Sequence, residues 1–282
     1  MGQTNLAKGT QSGRHITFKM IQAANSEIYQ GHLVLINREN PIQQSISSGS
    51  LLPLSSIPAI HTLRDGMLLE QNCLRQLTKL LEASDGINDI VAVSGYRTKQ
   101  EQERIYQSTL AERGAEYTAC YVALPDRSEH QTGLAIDVGK LSKDVDFIAP
   151  AFPDTEVYKA FKQLAASFGF IQRYKEGKEA ITQISCEPWH FRYVGYPHAD
   201  IMERNDWCLE EYIDTLKSHT YNNGHLLFED DRTFVEIYYV AAEAGAYTTI
   251  PLVLCHRSHL SGNNRDGFIV TAYWDKSRRA HV

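Results

Sequence analysis

Two short segments constrain this chain more than any other feature: Ser128-Glu129-His130-Gln131-Thr132-Gly133-Leu134-Ala135-Ile136-Asp137 and, about fifty residues on, Glu187-Pro188-Trp189-His190. His130, Asp137 and His190 offer two imidazoles and a carboxylate. That donor set suits a catalytic zinc, which takes three protein ligands and keeps a fourth position for water. Glu187, three residues before His190, is a spare carboxylate able to act on that water. Any fold this chain adopts has to bring these four side chains to one point, and the reading is of a zinc hydrolase.

Local patterning indicates how. Across residues 134–138, Leu134, Ile136 and Val138 alternate with Ala135 and Asp137, so a strand there turns Asp137 away from the apolar layer. Across residues 189–194, His190, Arg192 and Val194 share one face, and Trp189, Phe191 and Tyr193 share the other. Residues 89–93 read as a strand entering Ser94-Gly95-Tyr96-Arg97, and Thr98-Lys99-Gln100-Glu101 is a capping box opening a helix that ends near Gly114. Arg97 therefore sits at a strand-to-helix turn, on the rim of a sheet and rigidly held from both sides.

Apolar residues at helical spacing predict further helices over 66–83 and from the Asp154-Thr155 cap to Gly169, with a short one over 209–219. Residues 32–37 and 170–174 read as strands, and residues 43–58 as a Ser/Pro-rich loop. Beyond Gly224 the composition shifts to β-formers, with strands over 234–240, 250–255 and 268–274. The expected organisation is a disordered lead or expression remnant over 1–25, with Met20 as a possible start; a catalytic domain over 26–220; and a small β-rich extension over 221–282, marginal alone at its size. The fold class is α+β, with a mainly antiparallel sheet bearing the zinc site.

Composition closes off other classes. With 43% hydrophobic and 22% charged residues the chain buries a full core, and a net charge of −6 gives it no basic field for phosphates, so nucleic acid is not an expected partner. No run approaches the ~18 apolar residues of a membrane span, and the polar N-terminal stretch lacks the apolar region of a signal peptide; a cytoplasmic location is expected. The five cysteines are scattered and form no C-x-x-C, a pattern of reduced thiols. Cys186, His198, His256 and His259 are read as having no metal role.

Taken together, Ser94-Gly95-Tyr96-Arg97, Ser128 through Gly139 and Glu187-Pro188-Trp189-His190-Phe191-Arg192-Tyr193-Val194-Gly195 resemble the zinc D-alanyl-D-alanine peptidases, the VanX, VanY and bifunctional VanXY enzymes of vancomycin resistance, which share a fold with hedgehog signalling domains. Likeness runs from about Tyr29 to His219, is greatest to the VanXY type, and continues through Ser261-Gly262-Asn263-Asn264. The resemblance implies that His130, Asp137 and His190 bind one Zn²⁺ per chain and that Glu187 is the catalytic base. Arg97 is the candidate for meeting negative charge on the carbonyl oxygen. Ser128 and Gln102 are candidates for binding substrate, and Trp189 for walling its pocket; Tyr121 and Arg192 are read as structural. The implied activity removes D-Ala from D-Ala-D-Ala-ended peptidoglycan precursors or splits the free dipeptide. The alternatives are another wall peptidase, an L-Ala-D-Glu endopeptidase or an L,D-carboxypeptidase, and a hedgehog-like module that only binds zinc.

Overall fold

The structure, a computed structural model, describes residues 6–11 and 14–277, and the chain divides into two compact units. One is Ile36–Glu210; the other combines Met1–Leu35 with Glu211–Val282.

The Ile36–Glu210 unit is built on a five-stranded sheet. Its strands are β1 (His61–Thr62), β2 (Ile90–Ser94), β3 (Ala135–Lys140), β4 (Phe170–Tyr174) and β5 (Glu187–Tyr193), in the spatial order β1-β2-β3-β5-β4. Only β1 and β2 run parallel; the other three pairings are antiparallel. Its helices include α1 (Gln71–Ala83), α2 (Lys99–Arg113), α3 (Ala115–Tyr121) and α4 (Glu156–Ala165).

Helix α1 buries Cys73, Leu74, Leu77, Leu80 and Leu81, a stripe at the helical repeat. It starts at Gln71 rather than near Gly66 because Leu68–Glu70 is drawn into a strand pair with Leu51–Pro53, inside the segment read as loop. Glu70 then closes the helix start, its carboxylate accepting from the Asn72 and Cys73 amides. Helix α4 buries Tyr158, Phe161 and Ala165, and the Phe161 ring meets Phe152 and Phe191 edge-on at 5.6 and 5.0 Å. Phe191 thus belongs to the apolar layer. By strand alternation its neighbour His190 lies on the opposite face.

Among the described residues, the second unit is β-structure apart from short helical turns and most of helix Leu209–Leu216. Leu226–Glu229, Thr233–Ala241, Gly267–Asp275 and Arg257–Gly262 form, in that order, an antiparallel sheet. Arg14–Ala24 pairs antiparallel with Tyr247–Val253 and with Leu6–Gln11. Residues 1–25, expected to be a disordered lead or expression remnant, include a strand over Arg14–Ala24. Its physical basis is visible at Ile21, which faces Ile250 across the pair, and at Ala23, which enters a core with Tyr238, Ile250, Phe268 and Val270. The β-rich unit therefore draws strands from both chain ends, which a reading confined to residues 221–282 does not reach.

Residues 32–37, expected to be a strand, form none. Leu33, Val34 and Leu35 are buried, and the bonds of this stretch include the Leu33 amide to Ser261 Oγ, the Leu35 amide to the Asn263 carbonyl, and Asn264 Nδ2 donating to the Leu35 carbonyl. An apolar run signals burial without supplying a ladder partner.

Candidate metal centre

Strands β3 and β5 bring the first two donors together. Asp137 and His190 are direct cross-strand partners, so their side chains leave the sheet on one face as near neighbours. His190 Nδ1 lies 2.8 Å from Asp137 Oδ1. His130 arrives from the short helical turn Glu129–Thr132, which ends at Gly133 in the left-handed region (φ +69°). Its Nδ1 donates to the Gly95 carbonyl at 2.7 Å, which leaves Nε2 facing Asp137 Oδ2 at 3.1 Å. Gly95 is needed at that spot: a Cβ there would stand 2.5 Å from the Leu68 carbonyl oxygen.

Glu187 poses a problem of parity, since residues three apart on a regular strand face opposite ways. The β4–β5 register resolves it. Gln172 pairs with Phe191 and Tyr174 with Glu187, so a two-residue advance on β4 is matched by four on β5. This bulge re-aims the start of the strand, and Glu187 Oε2 comes within 3.8 Å of His190 Nδ1.

A second bulge, between Ala92 and Ser94 on β2, sets Ser94 opposite Asp137. Arg97 is fixed from there: Nε donates to Ser94 Oγ at 2.7 Å, Nη2 to Asp137 Oδ2 at 2.8 Å and Nη1 to Gln102 Oε1 at 3.2 Å. Helix α2 supplies Gln102 on its first turn, and the capping box expected at Thr98 and Glu101 is formed. The other end of the Gln102 amide donates to the Ala123 carbonyl at 2.7 Å. Both ends of that side chain are thus spent on the protein, and Gln102 braces Arg97.

Ser128, Gln102 and Trp189 all line the same cleft of about 450 Å³ as Arg97, Glu187 and the three donors. Tyr121 lines it too, stacked on Trp189 at 6.5 Å between centroids, so its reading as purely structural is incomplete. Arg192 fits the structural reading: it is fully buried, with Nη1 donating to Glu129 Oε1 at 2.7 Å.

Glu129 is the residue that sequence reasoning missed. Its Oε1 accepts from both Arg173 Nε (2.8 Å) and Arg192 Nη1, while its Oε2 faces His190 Nε2 at 3.7 Å. These two facing atoms are buried and have no hydrogen-bond partner. The only signal was a glutamate beside His130, where a surface position is the ordinary expectation.

Electrostatics sort the titratable groups. Burial, reinforced by the Arg97 charge, pushes His130 down to about 4, so it is neutral with its Nε2 lone pair available. Burial also pushes His190 down, but Asp137, Glu129 and Glu187 outweigh it and raise the imidazole to about 9. Burial pushes Glu187 up to about 8, with Asp137 adding to the rise against the pull of His190 and Arg97. Asp137 is held well below the usual carboxylate range: burial opposes this, and the two imidazoles prevail.

The donor set fits a zinc ion. One ligand atom each from His130, Asp137 and His190 can lie within 4.8 Å of the others, all buried. A metal taking the His190 Nδ1 lone pair leaves an Nε2–H pointing at the orphaned Glu129 oxygen, the carboxylate–histidine support typical of zinc sites. Three ligands rather than four, beside a carboxylate outside the set, match an open catalytic site and not a closed structural one.

Comparison with known proteins agrees with this geometry. The VanY family, D-alanyl-D-alanine carboxypeptidase, matches residues 66–196, a span that holds every residue of the cleft's predicted site. The chain is 43% identical over 187 residues to the bifunctional D-Ala-D-Ala dipeptidase and D-Ala-D-Ala carboxypeptidase VanXYC of Enterococcus gallinarum, covering 65% of this chain and 94% of that one. The crystal structure of the vancomycin-resistance D,D-dipeptidase VanXYg, in complex with a D-Ala-D-Ala phosphinate analogue, superposes with a TM-score of 0.85 at 43% identity, covering 91% of this chain and 99% of that one. A mutant of the D,D-pentapeptidase VanY from the VanB-type resistance cassette, in complex with Zn(II), matches with a TM-score of 0.52 at 31% identity, covering 64% and 98%.

Proposed function

Since this chain belongs to the D-alanyl-D-alanine carboxypeptidase family, we propose that it is a zinc-dependent D,D-peptidase that hydrolyses the D-Ala-D-Ala amide, in the free dipeptide or at the end of a peptidoglycan precursor. The observation that carries the reading is Glu187: a buried carboxylate, outside the three-donor set, on the same face as those donors and 3.8 Å from one of them. A module that merely bound zinc would not need Glu187, and burying that carboxylate without a function for it would be costly.

His130, Asp137 and His190 hold one zinc per chain in this reading. Zinc in such a site acts as a Lewis acid and makes water acidic enough to attack at neutral pH. The Glu187 carboxylate takes the proton of the attacking water and later delivers it to the leaving amine, a role its low-dielectric surroundings favour by raising its proton affinity. Arg97, locked by Ser94, Gln102 and Asp137, directs a fixed cation at the carbonyl oxygen as negative charge develops there; removing a donor of this kind costs about 10²–10³ in rate. The Ser128 hydroxyl, in the same cleft, is assigned to the substrate carboxylate, and Trp189 with Tyr121 to its apolar wall.

The five cysteines are all thiols, which suits a reducing compartment, and we place the reaction in the cytoplasm, on precursors before export. Among the described residues no helix is long and apolar enough to cross a membrane. Removal of D-Ala-D-Ala ends is the chemistry that glycopeptide resistance requires, and we assign the protein to that role. The test is to incubate zinc-loaded protein with D-Ala-D-Ala, D-Ala-D-Ser and a pentapeptide precursor and to quantify the D-amino acids released. Glu187→Ala is expected to keep its zinc and lose release; a fully active variant would sink the assignment.

A further inference from the structure

Beside the catalytic cleft, and sharing Val122, Ala123, Tyr174 and Ile184 with it as a wall, lies a second cavity of about 500 Å³. Two arginines, Arg38 and Arg127, line it, and no carboxylate does. Arg127 stands one residue before Ser128, in a turn closed by its own amide donating to the Leu124 carbonyl at 3.0 Å. Its Nη1 is buried and has no hydrogen-bond partner. The nearest carboxylate in sequence, Asp126, pairs with Lys99.

A guanidinium nitrogen stripped of water and left unpaired is destabilising, because the lost hydration is not replaced. The usual remedy is an ion pair, and this chain, with a net charge of −6, has carboxylates in excess. Two arginines that line one cavity with no carboxylate beside them, in such a chain, suit an anion that arrives from outside. The guanidinium fork matches a carboxylate in particular, through two parallel N–H···O bonds. The cavity adjoins the cleft along Val122, Ala123, Tyr174 and Ile184, so a molecule longer than the cleft, with its scissile amide held there, can extend toward the arginines.

We propose that Arg127 and Arg38 form an anion subsite for a carboxylate borne by the peptide segment that precedes the scissile D-Ala-D-Ala, and that this subsite favours longer acidic peptides over the free dipeptide. The proposal rests on the D,D-peptidase reading above for the identity of the ligand that spans the two cavities. It concerns residues outside the three-donor set, and its test is a binding measurement rather than turnover.

The probes are pairs of N-acetylated pentapeptides ending in D-Ala-D-Ala, identical except for glutamate or glutamine at one of the three leading positions. Their affinities for the zinc-loaded Glu187→Gln chain are measured by calorimetry. At one position or more, the glutamate peptide is expected to bind about tenfold tighter than its glutamine twin, the scale of one charge-assisted pair. That ratio should fall toward one on adding Arg127→Met, and in part on adding Arg38→Met at the exposed rim. Equal binding of both twins at all three positions overturns the proposal, as does a ratio that survives the double substitution. D-Ala release by the wild-type chain from the same peptides is followed in parallel. A preserved glutamate preference without release keeps the subsite and removes the peptidase reading; release without preference does the reverse.

Discussion

Glu187 and His190 lie three residues apart on one strand and still meet on one face, Oε2 to Nδ1 at 3.8 Å, because the strand bulges between them. The bulge sets the reach of this carboxylate, the proposed base, to within the length of one side chain. Glu187→Asp keeps the charge and withdraws the carboxylate by one methylene, and a misplacement of about 1 Å costs on the order of 10²-fold. The expected outcome is a kcat reduced by about that factor with KM and zinc content unchanged, read from D-Ala release and metal analysis on the same sample.

Glu129 is placed to support a metal held by His190. Two buried arginines hold its Oε1, and its Oε2 is turned to His190 Nε2. Replacing such a supporting carboxylate lowers metal affinity by about 10–100-fold in zinc sites. Glu129→Gln is therefore expected to lose zinc to a competing chelator at a correspondingly lower chelator concentration. An unchanged zinc affinity in a folded Glu129→Gln protein would show that the carboxylate serves only Arg173 and Arg192.

How much of this was legible in the sequence depends on what each signal encodes. Alternation around Asp137 and His190 was enough to place both on a polar sheet face, and the Thr98/Glu101 capping box fixed the start of the helix behind Arg97. Motif co-occurrence pointed to the donors. What alternation cannot encode is a break in itself: the bulges that re-aim Glu187 and Ser94 are properties of pairing between distant strands. Glu129 was hidden for a related reason, since its partners Arg173 and Arg192 come from two other strands. The Arg14–Ala24 strand was hidden by its polar flanks, its pairing partner lying more than two hundred residues away at Tyr247–Val253.

Zinc binding should be coupled to proton release. The neighbouring carboxylates hold His190 at about 9 against the effect of burial, so at pH 7 the imidazole carries a proton that a metal must displace. His130, at about 4, has none to give. Close to one proton per zinc is expected from His190 at pH 7, and apparent zinc affinity should rise by roughly tenfold per pH unit until it levels near pH 9. Calorimetry in buffers of different ionisation enthalpy counts the protons directly; a count of zero would mean that His190 is neutral before the metal arrives.

Acid sensitivity of the fold is expected to centre on Arg173. This fully buried guanidinium donates Nη1 to Glu210 Oε2 at 2.9 Å and Nη2 to Oε1 at 2.6 Å, while its Nε goes to Glu129. Burial pushes the Glu210 carboxyl up, but the Arg173 charge and its hydrogen bonds, with a further one from Asn37, prevail and leave it below its ordinary value. Glu129 is depressed in the same way by Arg173 and Arg192. A carboxylate with a lowered folded-state pKa contributes stability that is complete above its unfolded value, about 4.3, and is lost as pH falls from there through the folded value. Urea unfolding should therefore give constant stability from these groups between pH 7 and about 5, and a steep decline below. Glu210→Gln removes one partner of the buried pair, at a cost of about 3 kcal/mol or more at pH 7. The same variant should also show a shallower decline between pH 5 and 3, because one of the titrating groups is gone. If the wild type and Glu210→Gln lose stability in parallel over that range, the pair is not what acid breaks.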